Sequence, residues 1–318
     1  MHKGSFNIRS ILSIVKILRR YNPDIIQTWM YHADLVGGFI AKIAGFKSIL
    51  WGVHNVDLDS SKAKRSTVLI KNICTLFSKI IPNQIICSSP YAARHHQLIG
   101  YPLDKISVIN NGVNIKRFYP NPDVKQPLKF EMNIPESIPL LGMVGRYDPY
   151  KDHITLLKAL KLIKEKGQPF CCLLIGSGMD SQNDDLIYCL TERNLLDNVI
   201  LLGQRNDMGD VMNLLDVHIL SSISESFGNV LAEAMACGVP CITTDIGMPS
   251  EIVGNTGWIV PPSNPEKLAK AIIESINSMQ RKESWEKRKK RCREKIVDNY
   301  SEDRMVQKYK NVWDKHLI

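Results

Sequence analysis

Ten short apolar runs, each coupled to a stretch of helical periodicity, limit what this chain can fold into. Four come early: DIIQTW (24–29), KSILWGVHN (47–55), QIICSS (84–89) and ISVINNGV (106–113). Six follow: PLLGMVG (139–145), PFCCLLIG (169–176), NVILLG (198–203), DVHIL (216–220), PCITT (240–244) and GWIVP (257–261). Runs that are apolar throughout read as strands covered on both faces, and an intervening helix is the crossover that parallel strands require. Helices are expected at 6–21, 33–44, 66–81, 90–99, 152–166, 181–194, 207–215, 229–237 and 265–278, with a last one at 303–317. Asn264 followed by Pro265 marks one start clearly, a cap and then a residue that needs no amide partner. The class is α/β: two doubly wound, Rossmann-like domains facing each other, with ligands beyond the strand C-termini in the crevice.

The rhythm breaks at 119–138, where Pro120, Pro122, Pro127 and Pro135 sit among polar residues and read as a linker. That gives a first domain at 1–120 and a second at 121–299. The first has four strands against six and opens on a helix, so it is expected to lack the initial strand and glycine-rich turn of a doubly wound half.

With 318 residues, 44% of them hydrophobic, both domains can bury full cores. The net charge of +9 fits phosphorylated ligands, an anionic surface or simply a basic soluble protein. Residues 281–295, RKESWEKRKKRCREK, carry nine basic and three acidic side chains; a solvated helix face is the first reading and a lipid headgroup surface the alternative. Nucleic acid is set aside, because no aromatic platform beyond Trp285 is interleaved with that run. Eight cysteines without a C-x-x-C pair read as buried thiols in a reducing compartment. No run approaches the ~20 apolar residues of a membrane span, and MHKGSFNIRS lacks a signal peptide's apolar core. The expected location is cytoplasmic, with the cytoplasmic membrane face as a peripheral option.

The chemistry concentrates in LSSISESFGNVLAEAMACGVPCITTD (220–245). A strand ends in two serines, a loop carries Glu225, Phe227 and Gly228, and a helix from Asn229 carries Glu233. Both carboxylates can face one crevice, with the helix's free amides at Gly228, Asn229 and Val230 between them as an anion site. Such a pocket takes hydroxyls and phosphate together, as a nucleotide-sugar presents them. GRYDPYK (145–151) places Arg146 and Lys151 around a turn after the second domain's first strand, where two cations can clamp a diphosphate and stabilise it as a leaving group. IGSGMD (175–180) is a tight turn but not a G-x-G-x-x-G fingerprint. LGQR (202–205) offers Gln204 and Arg205 as candidate base contacts. His54 ends a first-domain strand and points to the crevice; Tyr31 and His32 hold a similar position as candidate acceptor-side residues. No Ser-His-Asp order, HExxH or metal-ligand cluster is present.

GRYDPYK, GSG, LGQR, ESFGNVLAE with its two glutamates eight apart, and AMACGVPCITTD together resemble the retaining family-4 glycosyltransferases of GT-B fold. PDIIQTW, GVHN, the strand reaching Ser88 and Ser89, NNGVNIKRFYP (110–120) and the tail YSEDRMVQKYKNVW agree, so the resemblance covers almost the whole chain. It implies that Arg146 and Lys151 bind the donor diphosphate, with amides near Gly228 to Val230 helping. It assigns Glu225 and His54 to the donor sugar and Glu233 to the ribose hydroxyls. It implies no metal and no cofactor, and a helix 300–318 that packs back on the first domain. The implied activity is transfer from a nucleotide-sugar, UDP-linked, to a lipid-linked or polysaccharide acceptor in surface polysaccharide or lipopolysaccharide assembly. By that comparison the chain begins 50–70 residues late, so the alternative is a form that binds nucleotide-sugar without transferring it. A sugar-nucleotide epimerase of the same fold would need further acid/base groups in the crevice.

Overall fold

The apolar runs do form ten strands, all parallel, in two sheets. The computed structural model describes residues 8–54 and 65–317; the first residues of the helix expected at 6–21, and Asn55, lie outside them. The chain divides into one unit of Met1–Asn111 with Met305–Ile318 and another of Gly112–Arg304.

In the first unit α1 (Ile8–Tyr21) precedes β1 (Ile26–Trp29), α2 (Tyr31–Ile43), β2 (Ile49–Val53), α3 (Arg65–Phe77), β3 (Gln84–Cys87), α4 (Pro90–Leu98) and β4 (Ile106–Val108). The strands lie in sequence order, with Thr28 opposite Trp51 and Gly52 opposite Ile86. All five residues of β2 are buried, which explains why its sequence shows no polar alternation. Ser89 caps α4 by accepting the Ala92 amide at 3.0 Å, and Pro90 fills the first helical position.

The second unit runs α5 (Lys125–Glu131), β5 (Leu140–Val144), α6 (His153–Glu165), β6 (Cys171–Ile175), α7 (Asp184–Thr191), β7 (Val199–Gly203), α8 (Met208–Leu214) and β8 (Val217–Leu220). It continues with α9 (Asn229–Ala236), β9 (Cys241–Thr244), α10 (Met248–Val253), β10 (Trp258–Val260), α11 (Pro265–Met279) and α12 (Lys282–Tyr300). Its sheet order is β10-β9-β8-β5-β6-β7, so successive strands step outward in opposite directions from the β5/β8 junction. Period-2 alternation splits the core: Leu140, Val144, Leu173 and Ile175 meet Leu231 and Ile252 on one face, while Leu141, Met143, Cys172 and Leu174 meet Leu156 and Leu268 on the other. The adjacent Cys171 and Cys172 therefore fall on opposite faces, and the cysteines are free thiols, all but Cys189 buried.

Two features differ from the sequence reading. Residues 112–120 pack on the second unit, because Val113 bridges to Ser301 and Phe118 enters the core beside Leu140. The proline-rich stretch holds α5, where Pro127 occupies the first turn and costs no intrahelical bond. The basic run of α12 lies on a solvated helix face, as first read, and most of its side chains also find partners. Arg288 and Arg293 donate to carbonyls of Thr256 and Phe118, Lys295 to that of Glu251, and Lys287, Lys289 and Lys290 pair with Glu283, Glu286 and Glu294. Finally α13 (Glu302–Asp314) joins the first unit: Tyr309 packs with Leu50 and Ile86, Trp313 Nε1 donates to Gln27 Oε1 at 2.7 Å, and Ser48 Oγ donates to the His316 carbonyl at 2.8 Å.

Candidate active site

The junction where strand order reverses opens a gap between the β5 and β8 loops, and ligand sites of open α/β sheets lie there. The β5 loop is held first by its neighbour after β6. Gly145 N donates to Ile175 O and Tyr147 N to Ser177 O, both at 2.8 Å. Gly176 permits this approach: its φ is +140°, and an added Cβ would stand 2.1 Å from the Gly145 carbonyl oxygen. Next, Asp148 accepts the Tyr150 amide and the Arg146 Nε–H, each at 2.9 Å. Burial alone would raise the Asp148 carboxyl, but those two donors outweigh it and hold it below the usual range. Arg146 is left mostly exposed at the loop's tip.

Asp152, with φ +48°, turns the chain into α6 and caps it, accepting the Thr155 amide and hydroxyl. This directs Lys151 toward the β8 loop. Its ammonium forms an ion pair with Glu225 Oε1, at side-chain exposures of 20% and 14%. Glu225 also accepts Ser222 Oγ–H at 2.9 Å. The loops are stitched further: Ile223 N donates to Tyr150 O at 2.8 Å, Ser221 Oγ to the Lys151 carbonyl at 3.0 Å, and Thr244 Oγ1 to the Ser222 carbonyl at 2.5 Å. Lys151 and Glu225, 74 residues apart, thus form one anchored pair. Two buried histidines, His153 and His218, lie near enough to Lys151 to sense its charge; burial foremost keeps them neutral, with pKa values pulled down to about 4 and about 3.

On the far side of the β8 loop, Gly228 adopts φ +88° at the start of α9, and no side chain caps that helix. The Gly228, Asn229 and Val230 backbone therefore forms an N-terminus at the strand's carboxyl end, as the sequence requires of an anion site. Glu233 follows one turn in. Its burial raises the carboxyl, an effect the Arg117 charge partly offsets. On the β7 loop, Gln204 is exposed, but Arg205 is committed to a two-pronged pair with Asp207, Nε to Oδ1 at 2.8 Å and NH2 to Oδ2 at 2.5 Å. A base contact by that guanidinium edge is displaced by the Asp207 carboxylate, which sequence spacing did not flag.

In the first unit His54 follows β2 with its ring centroid 5.0 Å from that of Trp29, and burial lowers its pKa. Tyr31 is not an acceptor-side residue in this structure. It is 3% exposed, and its hydroxyl is 2.7 Å from His96 Nε2. His96 Nδ1 faces the Ala92 carbonyl at 2.7 Å, so Nδ1 carries the proton and Nε2 accepts from the tyrosine. The reason is register: Tyr31 is the first residue of α2, on the face turned to the core, whereas His32 is exposed. The residues that sequence reading missed are Asp148, Asp152, Ser221, Ser222 and Thr244. Of these only Ser221 and Ser222 carried a signal, as the doubled serine just after β8. A cavity of about 590 Å³ lies at the opposite, amino-terminal end of β8 and β9, but its charges neutralise one another in Lys125–Asp216 and Lys289–Glu286 pairs.

The model of the glycosyl transferases group 1 family matches residues 124–292, and that of Glycosyltransferase Family 4 matches residues 1–117. The chain belongs to the glycosyl transferases group 1 family. Its α/β fold with two parallel sheets is that of GT-B enzymes. Among curated relatives of this glycosyltransferase is the Escherichia coli UDP-Gal:alpha-D-GlcNAc-diphosphoundecaprenol alpha-1,3-galactosyltransferase, 26% identical over 96% of this chain and 79% of the relative. The Staphylococcus aureus capsular polysaccharide biosynthesis glycosyltransferase CapM is 27% identical over 85% of this chain and 72% of its own length. A crystal structure of a Rickettsia africae glycosyltransferase superposes with a TM-score of 0.85 at 25% identity, covering all of this chain and 84% of the other. Anabaena Alr3699/HepE in complex with UDP-glucose gives 0.84 at 20% identity, over 96% of this chain and 82% of that one.

Proposed function

We propose that this glycosyltransferase moves a sugar from a UDP-linked donor to a lipid-linked or polysaccharide acceptor in surface polysaccharide or lipopolysaccharide assembly, with retention of anomeric configuration. The observation that carries the reading is the Lys151–Glu225 pair across the β5/β8 junction. A half-buried ammonium and a hydroxyl-accepting carboxylate side by side match the two halves of a sugar diphosphate. In this reading donor phosphate takes over the Lys151 ammonium and Glu225 turns its oxygens to the sugar hydroxyls. Arg146, exposed at the loop tip, joins Lys151 in neutralising the departing diphosphate. Backbone amides of Gly228, Asn229 and Val230 hold phosphate, Glu233 accepts from the ribose hydroxyls, and His54 lies against the donor sugar. The retained neutrality of His54, through burial, suits a group that bonds to hydroxyls rather than one that competes for phosphate. The 281–295 run keeps six cations in excess of its acidic side chains, nine basic against three acidic, which suits an anionic membrane surface beside the acceptor.

Calorimetry with UDP, together with transfer assays over a panel of UDP-sugars, tests this. Lys151→Ala is expected to lower kcat roughly 10²- to 10³-fold, the usual loss for one preorganised charge-stabilising group. Glu233→Gln should weaken UDP binding instead, and the product's anomeric coupling constant should match the donor's. Absence of UDP binding by the wild-type chain would falsify the reading. Binding without turnover of any donor would support the non-transferring alternative.

A further inference from the structure

His54 is the first-unit side chain to which the proposed function assigns a donor contact, and among the described residues its ring packs against that of Trp29. The two ring centroids are 5.0 Å apart with planes tilted by 40°. Trp29, though partly exposed, is itself held on two sides. Its six-membered ring lies against the bare Cα of Gly52, where a Cβ would come within 2.3 Å of Cε3. Its other edge meets Tyr309 of α13 at 5.7 Å, and Tyr309 meets Trp313 at 5.6 Å. Trp313 closes the row by donating Nε1–H to Gln27 Oε1 on β1 at 2.7 Å. The backbone just after Trp29 is equally constrained. Met30 holds φ +73°, a strained value for a residue with a side chain, and is kept there by its amide's bond to the Gly52 carbonyl at 3.0 Å. Strain of this kind persists only where surrounding contacts over-determine the conformation.

We infer that Trp29 is a positioning residue for His54, and that α13, through Tyr309 and Trp313, fixes the indole against which the imidazole is set. This rests on the donor role given to His54 in the proposed function. A row of four rings, His54–Trp29–Tyr309–Trp313, thus makes the carboxyl-terminal helix part of the apparatus that orients an active-site side chain. The same contacts assign Gly52 a role beyond sheet packing, since any side chain there would evict the indole.

The test uses the full chain labelled with 13C-histidine, with the His54 Cε1–H signal assigned by its loss in His54→Gln. Trp29→Ala should shift that signal, through loss of the indole ring current, and Tyr309→Ala should shift it in part. With a UDP-sugar that the wild type turns over, Trp29→Ala should lower kcat roughly 10- to 100-fold, the scale of a 1 Å misplacement, while UDP affinity stays within about twofold. Trp29→Phe, which retains a ring on Gly52, should recover most of both. A His54 signal unchanged in Trp29→Ala and Tyr309→Ala would overturn the inference, as would a kcat loss matched by an equal loss of UDP affinity. Should Trp29→Ala fail to fold, the Phe and Tyr309 variants carry the same readouts. If the wild type neither binds UDP nor turns over any donor, the functional proposal fails, while the ring-current signature still decides the contact.

Discussion

The Lys151–Glu225 pair works at the scale of single atoms because each partner is anchored before the two meet. Asp152 fixes the lysine by capping α6, and Ser222 fixes the glutamate at 2.9 Å. A long side chain loses on the order of 1.5–2 kcal/mol of rotamer freedom on ordering, so such anchoring moves that cost into folding and spares it at ligand binding. Asp34 shows the reverse situation, a buried carboxyl whose environment disfavours charge. Burial pushes it up to about 8, and the Thr28 hydroxyl, donating at 2.6 Å, only partly offsets this. Because the folded-state pKa is raised, the stabilisation this group provides is complete below the ordinary carboxylate range and is lost as pH rises toward 8. Asp34→Asn keeps an acceptor for Thr28 and removes the ionisation. Its thermal stability should exceed that of the wild type by a margin that widens from pH 4 to pH 8, by about 1.4 kcal/mol per pH unit. Equal pH profiles for the two proteins would show that the carboxyl ionises freely. Spacing placed Arg146 and Lys151 just after β5, Glu225 just after β8 and Glu233 in α9, because positions at strand ends follow local patterns. The orientation of Tyr31 was not readable in this way, since whether a residue just past a strand faces ligand or core depends on the rotation at which the next helix starts.

Elements were legible where local rules act alone. Asn264 accepts the Lys267 amide at 2.9 Å with Pro265 next, and α11 starts where capping chemistry places it. α10, six residues long with Pro249 in its first turn, was too short for any periodicity to register. α5 was hidden because a proline inside a helix's first turn looks, in sequence, like a proline in a linker. The contact between the β5 and β6 loops is another element-scale property, and it hangs on one glycine. Gly176→Ala combines a left-handed φ with a clash against the Gly145 carbonyl, and should cost about 3 kcal/mol or more in denaturant unfolding. Gly167→Ala, at φ +69° with nothing within 4 Å, should cost only about 1 kcal/mol. Comparable losses in the two variants would mean that backbone strain, not the loop contact, sets the effect.

Across the molecule, buried histidines are spread unevenly. The second unit holds His153 and His218, lowered chiefly by burial to about 4 and about 3, and the first holds His96, lowered to about 4. A lowered histidine pKa means the unfolded chain binds more protons between the folded value and 6.5, so stability present at neutral pH is lost as pH falls through that window. Two such groups give the second unit a slope of about 2–3 kcal/mol per pH unit between pH 6 and pH 4. In the first unit Asp34 acts in the opposite sense, offsetting on acidification much of what His96 and the less buried His54 lose. Hydrogen exchange followed from pH 7 to pH 4.5 should therefore show protection falling faster in β5, β6 and β8 than in β2 and β3. A uniform fall would sink this account. The sequence by itself determined the ten parallel strands, the two-sheet α/β class and the identity of the residues at the β5 and β8 loop tips. These follow from apolar runs, cap signals and glycine turns, whose causes lie within a few residues. Tertiary structure alone decided that Lys151 meets Glu225, that Tyr31 is core and that α13 reaches Trp29. Those contacts join positions tens to hundreds of residues apart, and they depend on strand order and helix rotation, which no local pattern encodes.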